Sequence, residues 1–222
     1  MLKSLCRFRK DTMMLPTHAL VGLALALPVA VSVPEFGVVV LLAGLLGGVV
    51  PDLDMYSGHR RTLHFPTYYS ALAVVAALVA VLATTPLTVA LALFALAAAV
   101  HSVMDVFGGG LELRPWEGTS DRAVYDHHRR QWLAPRRWIR YDGAPEDLLL
   151  SVAVGLPLLV ALDGPFRWVV ISSLAVAAGY AAVRRLLPTI AEALAESVLI
   201  PFLPASVLVI LPDRYLQEDT RS

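Results

Sequence analysis

The chain has 222 residues, 57% of them hydrophobic and only 16% charged, with 18 basic side chains against 18 acidic ones. Soluble globular chains carry about 25% charged residues, so a disordered chain is excluded and a water-facing globule is not expected. The zero net charge gives no general attraction to nucleic acid. The single cysteine, Cys6, excludes an intramolecular disulfide and any cysteine-based zinc module.

Charge-free runs mark the elements. Residues 12–34, 36–51, 62–104, 148–162, 168–183 and 197–212 hold no Asp, Glu, Lys or Arg. A membrane-crossing helix needs about 20 apolar residues, and Thr84-Thr85-Pro86 is the natural break within the longest run. The reading is an all-α, multi-pass transmembrane helical bundle of about six spans, near 15–33, 36–51, 66–83, 87–106, 147–163 and 166–184. The run 197–212 holds Pro201, Pro204 and Pro212, so it is either a seventh, irregular span or a re-entrant segment. On this reading residues 1–14 are an N-terminal tail, 15–212 a single membrane-embedded domain with long loops at 52–65 and 107–146, and 213–222 a C-terminal tail. A signal peptide over the first 33 residues is disfavoured, because the apolar run is long and no A-x-A site follows.

Lys and Arg are concentrated at one side. The N-terminal tail, the loops 52–65 and 107–146 and the Arg184-Arg185 pair hold fifteen, whereas the opposite connections have only Arg167 at their edge. This asymmetry predicts a cell-membrane protein with its N-terminus and both long loops in the cytoplasm.

Ionisable groups beside apolar spans are functional candidates. His18 lies in the first turns of span one, and Asp52 and Asp54 follow Pro51 at the end of span two. His59, Arg60, Arg61 and His64 lead into span three, and His101 and Asp105 share one helix face at the end of span four. Four elements therefore bring imidazole and carboxylate to one membrane level, a donor set suited to zinc or a similar divalent metal. Asp54 is the spare carboxylate, expected as a general base or as the partner of a ligating histidine. Arg60 and Arg61 are expected to meet an anionic substrate, or to be ordinary cytoplasmic-side charge.

These motifs (Pro16-Thr17-His18-Ala19, Gly47-Gly48 before Pro51-Asp52-Leu53-Asp54, His59-Arg60 before His64, and His101 before Asp105) resemble the YdjM-like family over residues 14–110. The family comprises inner-membrane-bound metal-dependent hydrolases, also described as LexA-binding. The likeness implies a membrane-bound metal-dependent hydrolase; a protein partner for this chain is not identified by it. More distantly, the order and type of His18, Asp52, His64, His101 and Asp105 are similar to zinc-dependent phospholipase C and the single-strand-specific fungal nucleases. That similarity implies one Zn2+ on Asp52, His64, His101 and Asp105, and a second sharing Asp105 and using His18; apart from it, His59 is an additional candidate ligand. The later His and His-x-x-x-Glu of those enzymes have no counterpart, since His127 and His128 are followed at the fourth position by Gln131 and Trp132. One or two ions are expected, not three. The implied substrate is a phosphoester or phospholipid-like molecule; a cation transporter or channel, or a scaffold stapled by metal, are the alternatives.

The loop 107–146 carries one further signal. Between Arg129 and Tyr141 five arginines alternate with Trp132 and Trp138 and no acid intervenes. This stretch is expected to lie on anionic lipid headgroups, with nucleic acid an unlikely partner. Gly108-Gly109-Gly110 lacks the Gly-Lys-Ser/Thr of a phosphate-binding loop, and no G-x-S-x-G sequence supports a serine hydrolase.

Overall fold

The computed structural model describes residues 13–194; the basic tail with Cys6 and the run 197–212 lie outside them. Helices α1 (Leu15–Ser32), α2 (Gly37–Val49), α3 (Pro66–Leu82), α4 (Pro86–Phe107), α5 (Pro145–Ala161) and α6 (Gly164–Val183) follow the charge-free runs closely. A 3-10 turn at Val50–Tyr56 extends α2. Among the described residues the fold is all-α apart from one antiparallel hairpin, β1 (Val124–Asp126) and β2 (Gln131–Leu133), inside the long loop. The chain falls into two compact units divided after Ala182; the first holds α1 to α5 and all but the last residue of α6, and the described part of the second is mainly helix α7 (Leu187–Leu194).

Proline punctuates the bundle. α1, α3, α4 and α5 all have Pro in their first turn, where the missing N–H is an orphan in any case and the fixed φ suits a helix start. α4 adds a capping box, in which Thr85 and Thr88 satisfy each other's backbone N–H groups. Among the described residues four segments are long and apolar enough to cross a membrane: α1, Pro34–Met55, α4 and α6. α3 is apolar but has only 17 residues, stopped by Pro66 on one side and by the Thr84-Thr85-Pro86 break on the other. α5 also has 17, and Glu146 and Asp147 occupy its first turn, so less of it is apolar than its length suggests. The outer surface carries exposed Val74, Val75, Leu78, Val81 and Leu82 on α3 and Val160 on α5. An apolar surface of this extent belongs against lipid.

Small residues bring α1, α2 and α4 together. A Cβ on Gly22 or Gly44 would collide with the other residue's carbonyl oxygen; on Gly48 it would meet the carbonyl of His18, and on Gly47 that of Phe94. Without a hydrophobic drive between helices in lipid, close backbone approach of this kind supplies the packing. Beneath it Leu20, Leu23, Val40, Leu41, Leu93 and Leu158 form the apolar core. The N-terminal turn of α1 is tied to α5 by polar groups: Asp147 accepts from Met14 N (2.8 Å) and Thr17 Oγ1 (2.6 Å), and Thr17 also bonds Ser151 (2.7 Å).

The long loop is folded, not simply draped. Arg136 N, Arg137 N and Ile139 N donate to the carbonyls of Val106, Gly108 and Phe107 at the end of α4 (2.8, 3.1 and 3.1 Å). Asp126 closes the hairpin turn by accepting from His128 N and Arg129 N (2.9 and 3.3 Å). Within the stretch expected at the headgroups, Trp138 is exposed and tilts against Phe107 with ring centroids 4.6 Å apart, which keeps it at the end of a span.

Candidate metal centre

The close helix contacts set the donors. Helix α2 ends against the first turns of α1 at Gly48, so the polypeptide that follows passes directly beneath His18. The 3-10 turn then carries Asp52 and Asp54, a tight loop returns His64 to the head of α3, and the last two turns of α4 supply His101 and Asp105. Asp52, His64, His101 and Asp105 each offer one ligand atom, and the four atoms lie within 4.8 Å of one another. His64 Nε2 is 3.2 Å from His101 Nε2, 3.1 Å from Asp105 Oδ2 and 3.6 Å from Asp52 Oδ1. His101 Nε2 is 3.4 Å from Asp52 Oδ1 and 3.8 Å from Asp105 Oδ2. Bonds of about 2.0–2.1 Å to a tetrahedral ion would place ligand atoms about 3.3 Å apart. The donor spacing fits a metal ion.

The tautomers point the same way. His101 Nδ1 lies 2.7 Å from the carbonyl of Gly48, which can only accept, so Nδ1 carries the proton and Nε2 is a bare lone pair. His64 Nδ1 lies 3.1 Å from Asp54 Oδ2, the carboxylate–histidine pairing that turns Nε2 into a ligand. With both imidazoles neutral, two lone pairs and two carboxylate oxygens would converge on one point with nothing positive between them. That point demands a cation or a proton. Burial opposes charge on His64, but its bonds to Asp105 and Asp54, with Asp52 nearby, outweigh it and hold the pKa up at about 9. In the metal-free protein a proton therefore fills part of the role, and metal binding must displace it. A metal ion can bind all four donors at once.

The other expected residues take surrounding positions. His18 is outside the four-atom set: its Nε2 bonds the second oxygen of Asp105 at 3.1 Å and its ring stacks on His101 at 3.8 Å. Among the described residues its Nδ1 has no hydrogen-bond partner. His59 lies outside the four-atom set: its Nδ1 bonds Asp54 Oδ1 at 3.0 Å and its ring stands edge-on to that of His64, centroids 5.6 Å apart. Asp54 is fully buried and also accepts from Arg60 N (3.2 Å) and Leu63 N (3.0 Å). Of the two roles expected for Asp54, this is the geometry of a histidine partner. Its oxygens already accept four bonds, which fills the capacity of a carboxylate.

Arg60 and Arg61 part company. Arg60 is fully buried, has a left-handed backbone (φ 61°), and sends Nη1 to the carbonyls of Gly109 (3.4 Å) and Ala123 (3.3 Å). Its Nε stands 3.7 Å from Asp105 Oδ2. With neutral imidazoles, Arg60 and one divalent ion balance the three carboxylates Asp52, Asp54 and Asp105. Arg61 is exposed, its guanidinium 4.7 Å above the Tyr125 ring.

Sequence reasoning overlooked two contributors. The Gly48 carbonyl, which orients His101, is invisible as a side-chain motif; the Gly47-Gly48 pair was its only trace. Asp147 was overlooked too, although an acid directly after a helix-starting Pro is a recognisable signal; it anchors the turn that holds His18. No family model, curated protein or solved structure matches the chain.

Proposed function

We propose that this chain is a metal-dependent hydrolase of the membrane, acting on a phosphoester carried by a phospholipid-like molecule at the cytoplasmic face. The observation that supports it most is the convergence of Asp52, His64, His101 and Asp105 with both histidine tautomers held from behind. The motif likeness to YdjM-like hydrolases agrees with this reading, and the fifteen-to-one partition of Lys and Arg supports the orientation. A divalent ion, with zinc favoured by the His/Asp donor types and by the motif likeness to zinc-dependent phospholipase C, would supply Lewis acidity and lower the pKa of water from 15.7 towards ~7. Asp52 is the only donor with appreciable exposure, 12% of its side chain, so the reacting face is on its side. Arg60 offsets the charge of Asp105 from within, while Arg61 is exposed with its guanidinium over the Tyr125 ring.

The near-complete burial of His64, His101 and Asp105 also favours a second reading, a metal that only staples the turn after α2, the head of α3 and the end of α4. Transport is less well supported, because the donors sit at helix ends and not at the midplane. The deciding experiment measures release of phosphorylated headgroup from phospholipid vesicles, and of product from a soluble phosphodiester, by metal-loaded wild type and by His101→Ala. Turnover by the wild type alone supports the hydrolase; full metal occupancy with no turnover of any phosphoester supports the staple.

A further inference from the structure

Beside Asp52 lies a cavity of about 100 Å³, the space of about three waters at ~30 Å³ each. Asp52, His59, Asp142 and Tyr180 supply its polar lining, and Met13, Met14, Met55 and Val176 are among its apolar walls. No Lys or Arg lines it among the described residues. Three of the wall residues are thioethers, which adapt to apolar groups of varied shape. Val176 belongs to α6, a helix long enough to span, and stands seven residues before its end at Val183. At 1.5 Å per residue that is roughly 10 Å along the helix from its terminus, which on the reading that α6 spans the bilayer and ends at its surface lies below the headgroups. α6 buries only Val170 and Ala177, and Val176 itself is 57% exposed, so the wall it forms is continuous with lipid-facing surface.

From this we infer that the centre opens sideways into the bilayer, between the start of α1 and α6, and that its ligand is a membrane amphiphile. The polar head reaches Asp52 and His59, and the chain lies along Met13, Met55 and Val176. A soluble anion finds no basic funnel at this mouth, whereas an amphiphile already dissolved in the membrane arrives at its depth. The choice of a lipid-borne head rests on the proposed metal centre; the position and lining of the mouth do not.

The test uses full-length protein with Cys6→Ser, carrying Met55→Cys or Val176→Cys labelled with bimane and reconstituted in phosphatidylglycerol–phosphatidylcholine vesicles. Asp121→Cys, on the exposed loop, is the aqueous reference. The lateral mouth predicts loss of emission from both wall labels on adding lipid doxyl-labelled in the acyl chain. Iodide on both sides of the membrane should leave them largely bright while quenching the Asp121 label. Iodide quenching at Met55 equal to that at Asp121, with no effect of doxyl lipid, overturns the inference. Should Met55→Cys fail to fold, the Val176 label is judged by the same comparison. Metal analysis of the same preparations separates the two claims: metal-free protein with lipid-quenched labels refutes the metal centre alone, and metal-bearing protein with iodide-quenched labels refutes the mouth alone.

Discussion

Asparagine at position 54 probes how the metal donors are oriented from behind. Asp54 accepts from His59 Nδ1 (3.0 Å) and Arg60 N (3.2 Å) on one oxygen, and from His64 Nδ1 (3.1 Å) and Leu63 N (3.0 Å) on the other. An amide offers one accepting oxygen, so in either orientation two of these donors confront an NH2 group. When the NH2 faces His64, the ring is relieved only by moving its proton from Nδ1 to Nε2, which points an N–H into the donor set. Two bonds to a charged acceptor are lost at about 1.5–3 kcal/mol each, so Asp54→Asn should destabilise the fold by about 3 kcal/mol or more. Loss of a ligand's supporting partner costs about 10–100-fold in metal affinity. Asp105→Asn removes a donor oxygen itself and one unit of balancing charge, and should abolish retention of metal. Both variants are to be purified at matched yield and helicity, dialysed against graded chelator, and assayed for metal content and thermal unfolding. Full metal in Asp105→Asn together with its loss in Asp54→Asn would refute the assignment of these two carboxylates.

Four further outcomes are expected. Because His64 in the metal-free protein holds its proton up to about 9, metal affinity should fall roughly tenfold for each pH unit below that value, as one proton competes with the ion; isothermal titration in two buffers of different ionisation enthalpy reads the proton released. The raised pKa lends the metal-free fold a stability that is fully present below the unfolded value near ~6.5 and lost as pH rises through about 9, so its melting temperature should drop over that window while metal-loaded protein holds steady. Gly48→Ala places a Cβ against the His18 carbonyl and should cost about 1–3 kcal/mol as an overpacked contact, with metal affinity reduced because His101 loses its anchor; unchanged melting and metal content would show that α1 and α2 separate freely. Asp147→Ala strands the donors Met14 N and Gly143 N, each worth about 1–3 kcal/mol when buried unpaired, and leaves Thr17 Oγ1 with Ser151 alone. Hydrogen exchange should show the first turn of α1 opening.

The helices were legible because lipid leaves few options. Each apolar run must satisfy its backbone internally, and a proline or a charge cluster marks where it stops. The boundaries therefore fall within a few residues of the runs, even with Pro28 and Pro157 inside helices. The donors were legible for a related reason: His101 and Asp105 share a face by helical period, and Asp52 and His64 flank one loop between two spans. What the sequence could not distinguish was Arg60 from Arg61. Both read as cytoplasmic-side charge, yet the left-handed backbone at Arg60 turns its side chain inward to Asp105 while its neighbour stays in solvent. The β1–β2 hairpin was missed because three-residue strands carry no usable alternation, and the stretch was dominated by its arginines. By residue type His59 is a further candidate ligand; after the positive φ of 105° at Gly58 its Nδ1 is taken up by Asp54, which leaves it beside His64 but outside the four-atom set.

The most direct test of the central claim is elemental analysis of the purified full-length protein beside the double variant Asp52→Ala, His101→Ala, both prepared without added chelator and compared at equal helicity. The account predicts about one divalent ion per chain in the wild type and none in the variant. A folded wild type without stoichiometric metal after supply of zinc, or equal metal in both proteins, would contradict it.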